Sequence, residues 1–304
     1  MIAFGQNLID ALALGSLYAL AALGIGLIFG VLRLINFAHG DYITVGAYSL
    51  IIPSTQVMAQ EMLGALPWPL LIIAVTAVVV ILALLSELIV FRPLRAASAA
   101  TLMIASFALG FVIQYTLLLF YSGRPKAFGL WPELTQVVEF VGLRVPLLQL
   151  ITISVTIVLL VGLVGFLRYT AYGVQMRAAA EDFRMARLLG VKANRVIALA
   201  FGLSGVLAAV VSLLFLTQRG IVAVDMGVPL MLFAFVATVV GGMGSLVGAV
   251  VGGYAVGILS VALQVLLPED LRAFRDAFVF LAIIIILLFR PSGLVKVKAV
   301  VERV

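Results

Sequence analysis

Long apolar runs separated by short polar stretches dominate this chain. The runs fall at 8–31, 42–58, 68–90, 100–120, 146–167, 196–217, 228–240, 246–266 and 277–289. A helix climbs about 1.5 Å per residue and the hydrocarbon core is about 30 Å thick, so about 20 residues cross it. Runs 42–58 and 277–289 are short, and the latter is expected to begin nearer Leu271. Run 228–240 reads as a half-helix or a tilted partner of 246–266. The pattern predicts an all-α polytopic membrane protein with eight or nine membrane segments, some of them broken or half-spanning.

Small residues recur inside these runs. Gly244, Gly248 and Gly252 are spaced by four, Gly253 and Gly257 make a second row, and Ala22, Gly26 and Gly30 make a third. In lipid such spacing lets helix backbones touch, because packing rather than hydrophobicity drives association there. The stretch Gly241-Gly242-Met243-Gly244-Ser245 also reads as a break that lines a solute path.

Composition agrees with the pattern. The chain is 65% hydrophobic and 11% charged, with mean hydropathy +1.30, whereas an ordinary soluble domain is about 25% charged. There are no cysteines, which excludes disulfides and thiolate metal sites. The N-terminal MIAFGQNLIDALALG lacks a basic region, so the first run is read as a retained span.

Charge then gives an orientation. Loops 32–41, 91–99, 168–195 and 290–304 carry 13 Lys/Arg against 4 Asp/Glu, net +9. Loops 1–7, 53–67, 121–145, 218–228 and 267–276, with Asp10, carry 6 against 8, net −2. Cytoplasmic loops are rich in Lys/Arg, so the first set is expected inside, with the N-terminus out and the C-terminus in. Basic charge spread along one membrane face argues against nucleic acid.

One loop carries the single histidine: Asn36-Phe-Ala-His39-Gly-Asp41, followed by Thr44. Parity sets it at the cytoplasmic end of the first two runs. One His and one Asp are too few ligands for a metal, and no serine shows an activating context, so neither a metal nor a catalytic site is predicted. Asp41 is expected to cap a helix beginning at Tyr42, with a role in gating or lining a path as the sharper alternative. Ion coupling would call for buried acids or histidines within spans. Only Glu87 qualifies, near Arg92; the other polar groups are mild, among them Gln114, Ser204 and Thr238.

The loop at about 168–195 holds a predicted helix over 177–189. Arg177-Ala-Ala-Ala-Glu181-Asp182-Phe183-Arg184-Met-Ala-Arg187-Leu-Leu189-Gly190 has strong helix formers and a glycine suited to a C-cap. Glu181 is placed to pair with Arg177 and Arg184, and Ala179, Phe183 and Ala186 make a modest apolar stripe. Mixed charge and small alanines suit a protein groove better than a lipid surface. No G-x-x-x-x-G-K-[ST] loop occurs, so ATP is not bound by that motif.

Asn36-Phe-Ala-His-Gly-Asp41, the stretches around 178–182 and 189–190, Val240-Gly-Gly-Met-Gly-Ser-Leu-Val-Gly248 and Phe289-Arg-Pro-Ser-Gly-Leu294 resemble LivH-type permeases. These are inner-membrane subunits of ATP-binding-cassette importers for branched-chain amino acids. The resemblance covers nearly the whole chain. It implies one transmembrane permease domain over 1–304 with that importer-permease fold and 168–195 as its coupling loop. Implied partners are a LivM-type permease, two cytosolic ATPases that carry ATP and Mg, a periplasmic solute-binding protein and membrane lipid. The chain itself would bind no cofactor and catalyse no reaction. Coupling residues would be Arg177, Glu181, Asp182, Phe183, Arg184, Arg187, Leu189 and Gly190. Path or gating residues would be Asn36, His39, Asp41, Thr44, Gln114, Thr238, Gly241, Gly242 and Gly244. Two alternatives stay open: the same importer class for urea or short amides, and an ion-coupled secondary transporter or channel.

Overall fold

A computed structural model describes residues 2–56, 58–140, 143–290 and 293–295. In chain order the helices and strands are α1 (Ile2–Leu32), α2 (His39–Tyr48), α3 (Trp68–Ser86), α4 (Ala99–Tyr121), β1 (Lys126–Ala127), β2 (Val137–Phe140), β3 (Leu143–Pro146), α5 (Leu147–Tyr169), α6 (Ala171–Glu181), α7 (Phe183–Leu188), α8 (Ala193–Arg219), β4 (Ile221–Val222), α9 (Gly227–Gly241), α10 (Leu246–Leu266) and α11 (Arg275–Phe289). Among the described residues six helices are long and apolar enough to cross a membrane, and α9 is a shorter apolar helix. The protein is a polytopic, all-α membrane protein.

The nine apolar runs map onto nine helices, with two differences. Run 42–58 is helical only as α2, which starts earlier and stops at Tyr48. The last run begins at Arg275, after a 3₁₀ turn over Glu269–Phe274 rather than a helix from Leu271. Residues 291–292 and 296–298 of the basic tail lie outside the described residues.

The chain forms two compact units. The first comprises 1–33, 152–197 and 233–304. Its centre is the α1–α10 seam, where glycine serves close approach. A Cβ on Gly253 would strike the Ala19 backbone, and one on Gly257 the Gly15 backbone. The other row turns toward α9: Gly248 abuts Gly241, and Gly252 abuts the Ala237 carbonyl. The two glycine rows of α10 therefore serve two different neighbours. Gly244 belongs to neither, since it sits in the turn before α10 with φ +92°. Tyr18, Phe233 and Phe280 stack in series at 5.0 and 5.1 Å.

The loop at 168–195 lies in this unit and differs from the single helix expected over 177–189. It folds as α6 and α7, broken at Asp182. Asp182 Oδ1 accepts the Met185 N–H at 2.8 Å, so it caps α7 instead of continuing α6. Thr170 caps α6 by accepting the Gly173 N–H at 3.0 Å. Among the described residues no ion pair joins Glu181 to Arg177. Only the backbone of Phe183 and Arg184 is described.

The second unit comprises 34–151 and 198–232. Beyond α3 the chain makes one π-turn, Glu87–Phe91, closed by the Arg92 N–H on the Glu87 carbonyl at 2.7 Å. Glu87 is buried and pairs with Arg92 at 3.0 Å and with Arg95. The polar stretches between helices are not all loop. β2 and β3 pair antiparallel, with Val137 and Val138 of β2 exposed and Val145 of β3 buried, and β1 pairs antiparallel with β4. Lys126 is fully buried, its ammonium donating to the Ser54 carbonyl, Ser54 Oγ and the Gln56 carbonyl at 2.6, 3.1 and 2.7 Å.

Candidate functional site

In the second unit, α2 is ten residues long and almost wholly enclosed, and its polar side chains reach three separate helices. The chain enters it through a turn in which Arg33 adopts φ +51°. Asn36 Oδ1 accepts the Ala38 N–H at 3.1 Å, and the Phe37 N–H donates to Ser106 Oγ on α4 at 3.2 Å. Asn36 thus closes the turn that leads into the helix. Asp41 does not cap a helix starting at Tyr42, because the helix already starts at His39 and Ala38 holds the N-cap position without a side-chain bond.

Asp41 reaches sideways instead. Its Oδ1 accepts Gln114 Nε2 at 2.8 Å, and a Cβ on Gly110 would lie 2.5 Å from its Oδ2. His39 Nδ1 lies 3.1 Å from Ser204 Oγ on α8, while its Nε2 is buried with no hydrogen-bond partner among the described residues. Thr44 Oγ1 donates to the Gly40 carbonyl at 3.2 Å and accepts the Gly227 N–H at the start of α9 at 3.1 Å. There the Gly40 and Gly227 backbones touch, so the N-terminal ends of α2 and α9 meet with no side chain between them. Tyr121, at the end of α4, donates to the Tyr48 carbonyl at 3.2 Å.

These partners lie within their helices rather than at the helix ends. Gln114 lies past the middle of α4 and Ser204 lies well inside α8, so His39 and Asp41 belong to the interior of the unit and not to a surface loop. Both are buried, with His39 at 0% and Asp41 at 3% exposure. A buried carboxylate normally needs a cation or several donors. Among the described residues Asp41 has no basic partner. Two further polar atoms in or beside α2, Tyr48 Oη and Ser212 Oγ, are buried without a hydrogen-bond partner among the described residues. Chemically, the arrangement offers one carboxylate, one imidazole and several hydroxyl and amide groups inside an apolar bundle. No group of three or more His, Asp and Glu that would hold a metal occurs among the described residues.

The path candidates divide between the units. Asn36, His39, Asp41, Thr44 and Gln114 assemble around α2. Thr238 lies in the first unit and donates to the Ala234 carbonyl at 2.8 Å, its methyl facing Gly26. Gly241, Gly242 and Gly244 form the end of α9 and the turn after it, with φ +107° at Gly242. Of the coupling candidates, Arg187, Leu189 and Gly190 are exposed at the end of α7, beside exposed Met185 and Leu188. Sequence reasoning passed over Ser106, Gly110 and Gly227. A signal for the first two exists: Ser106, Gly110 and Gln114 are four apart and share one face of α4.

The chain matches the family described as the permease component of the branched-chain amino acid transport system over residues 7–288. It belongs to that permease family. The permease is 31% identical to BraD, the high-affinity branched-chain amino acid transport system permease protein of Pseudomonas aeruginosa, over 95% of this chain and 94% of that protein. It is 31% identical to LivH of Escherichia coli, a permease protein of the corresponding system, over 96% of this chain and 95% of that protein. The permease is also 30% identical to LsrC of Shigella flexneri, the autoinducer 2 import system permease protein, over 56% of this chain and 50% of that protein. No solved structure matches it.

Proposed function

We propose that this chain is the LivH-type permease subunit of an ATP-driven importer for branched-chain or other hydrophobic amino acids. It would sit in a bacterial inner membrane with its N-terminus periplasmic and C-terminus cytoplasmic. A LivM-type permease, two cytosolic ATPases and a periplasmic binding protein would complete the machine. The observation that carries this reading is likeness over nearly full length to BraD and LivH, against half-length likeness to LsrC. Urea and short amides stay as alternative solutes.

The chemistry is mechanical. Hydrolysis occurs in the partners, so this subunit forms no covalent intermediate. The tip of α7 supports docking: Met185, Leu188 and Leu189 expose 53, 77 and 80% of their surfaces beside Arg187. An apolar tip rimmed by a cation suits a groove on a protein. Closure of the ATPases would push α7 and α6, and the solute cavity would open to alternate sides.

Two measurements test this. Purified with its partners in vesicles, the complex should take up leucine only with ATP. Leu188→Asp should lower that uptake by about tenfold or more, the scale of an interface hot spot, while the permease pair still assembles. Unchanged uptake would remove the docking assignment.

One observation favours a second reading, ion coupling: Asp41 is a buried acid without a basic partner among the described residues. That rival moves leucine with the chain alone in a vesicle under a proton gradient, where an importer subunit stays inert.

A further inference from the structure

Two motifs far apart in sequence meet in the first unit. At the end of α9 the carbonyls of Val240 and Gly241 have no partner within the helix, as at any helix C-terminus. The Leu294 N–H donates to the Val240 carbonyl at 2.7 Å and the Val295 N–H to the Gly241 carbonyl at 3.2 Å. Val240 is 2% exposed and Gly241 and Gly242 are buried, so water does not satisfy these carbonyls. The approach depends on Gly293, which has φ +78°; a Cβ there would lie 2.8 Å from the Gly242 nitrogen and 2.9 Å from its Cα. Segment 293–295 follows α11, so it ties the end of α11 to the end of α9.

The glycine turn fixed in this way also borders α6. A cleft of about 100 Å³ is lined by Gly26, Gly30, Met176, Arg177, Gly244 and Leu246, among others. Met176 is 1% exposed, so α6 is seated in the unit rather than lying on it. The turn with Gly242 and Gly244, both at positive φ, is the most deformable link between α9 and α10. A push from α6 on a free glycine turn would bend the turn. On a braced turn the push moves α9 and α10 together.

We propose that Gly293–Val295 is a backbone strap that stiffens the 241–245 turn, making Gly293 and Leu294 positioning residues for coupling. The proposal rests on the ATP-driven reading above. The strap acts through main-chain donors, so the side chain of Leu294 matters little and its N–H matters greatly.

In the full importer with its partner subunits, Leu294→Ala keeps the N–H, and leucine moved per ATP hydrolysed should match wild type. Leu294→Pro removes the N–H and should lower that ratio about tenfold, the factor set by one buried carbonyl left unpaired. Gly293→Val should do the same. Both variants should still assemble with the partner subunits and keep a thermal midpoint close to wild type, which a generally unfolded subunit would not allow. Amide exchange in the wild-type protein reads the strap directly: Leu294 and Val295 should exchange at least about a hundredfold more slowly than an open loop, as buried hydrogen-bonded amides do. Equal coupling in Leu294→Pro and Leu294→Ala overturns the proposal, and so do fast-exchanging amides. If wild type shows no ATP-dependent uptake, the importer reading fails, while slow exchange still establishes the strap as a structural brace.

Discussion

The two units weight packing and hydrogen bonding differently at their central helices. In the first, α1 and α10 approach until backbone meets backbone, at Gly253 against Ala19 and Gly257 against Gly15. In the second, α2 is fixed by side-chain hydrogen bonds from Asp41, His39 and Thr44 to α4, α8 and α9. Lipid gives apolar helices no hydrophobic reason to associate, so close van der Waals packing and interhelical hydrogen bonds are the two available solutions. They differ in what they specify. A glycine seam demands smallness at each contact. A hydrogen bond demands a partner at one distance and angle, so it fixes the rotation and height of a helix as short as α2. A ten-residue helix is too short to stand alone, so α2 depends on these bonds together with its packing, the Gly40–Gly227 contact included.

The largest expected effect tests the seam. Gly253→Leu sets a side chain where Ala19 N, Cα and Cβ already stand at 2.5, 2.5 and 2.8 Å from a bare Cβ. No rotamer change relieves a clash with backbone. A cost of about 3 kcal/mol or more follows, the top of the overpacking range, seen as a lower thermal midpoint in detergent and a fall in monodisperse yield. Gly162→Leu, where an added Cβ meets nothing within 4 Å, is the matched control and should be nearly silent. Similar midpoints for the two variants would break the claim that α1 and α10 are joined through their backbones.

Much of this contrast is visible in the sequence, and the missing part has physical causes. Apolar runs mark the helices because a span in lipid is a strong one-dimensional signal. The spacing of Gly248, Gly252, Gly253 and Gly257 shows two packing rows, though not which neighbour each meets. The extent of α2 is obscured because His39 and Asp41 interrupt the apolar pattern, and parity gives sides of a membrane but no depth. Asp182 reads as a helix residue on propensity alone, whereas its side chain competes for the backbone and starts a new helix. The Gly293–Val295 contact joins residues distant along the chain through main-chain groups, which leave no side-chain signature.

The next effect in size sharpens the polar side of the comparison. Gln114→Leu leaves the Asp41 carboxylate enclosed with no side-chain partner among the described residues and should cost about 2 kcal/mol. Asp41→Leu alone should cost a similar amount, since it strands the amide. The double variant replaces both polar groups and should cost less than the sum, with an interaction energy of about 1–2 kcal/mol in a double-mutant cycle. Additive costs would mean that the 2.8 Å contact does not hold α2 to α4.

The smallest effect separates two serines on one helix. Ser204 and Ser212 both lie on α8, both are 0% exposed, and both face α2. Ser204 Oγ meets His39 Nδ1 at 3.1 Å, whereas Ser212 Oγ is buried beside Gly46 without a hydrogen-bond partner among the described residues. Ser204→Ala therefore strands an imidazole nitrogen and should cost about 1 kcal/mol. Ser212→Ala removes a hydroxyl that already lacks a partner and should be neutral or slightly stabilising. Thermal midpoints of the two variants under identical detergent conditions decide it. If burial of a serine were all that mattered, the two would match. A lower midpoint for Ser204→Ala alone means that the histidine's bond, and not the enclosure of the helix, sets where α2 stands against α8.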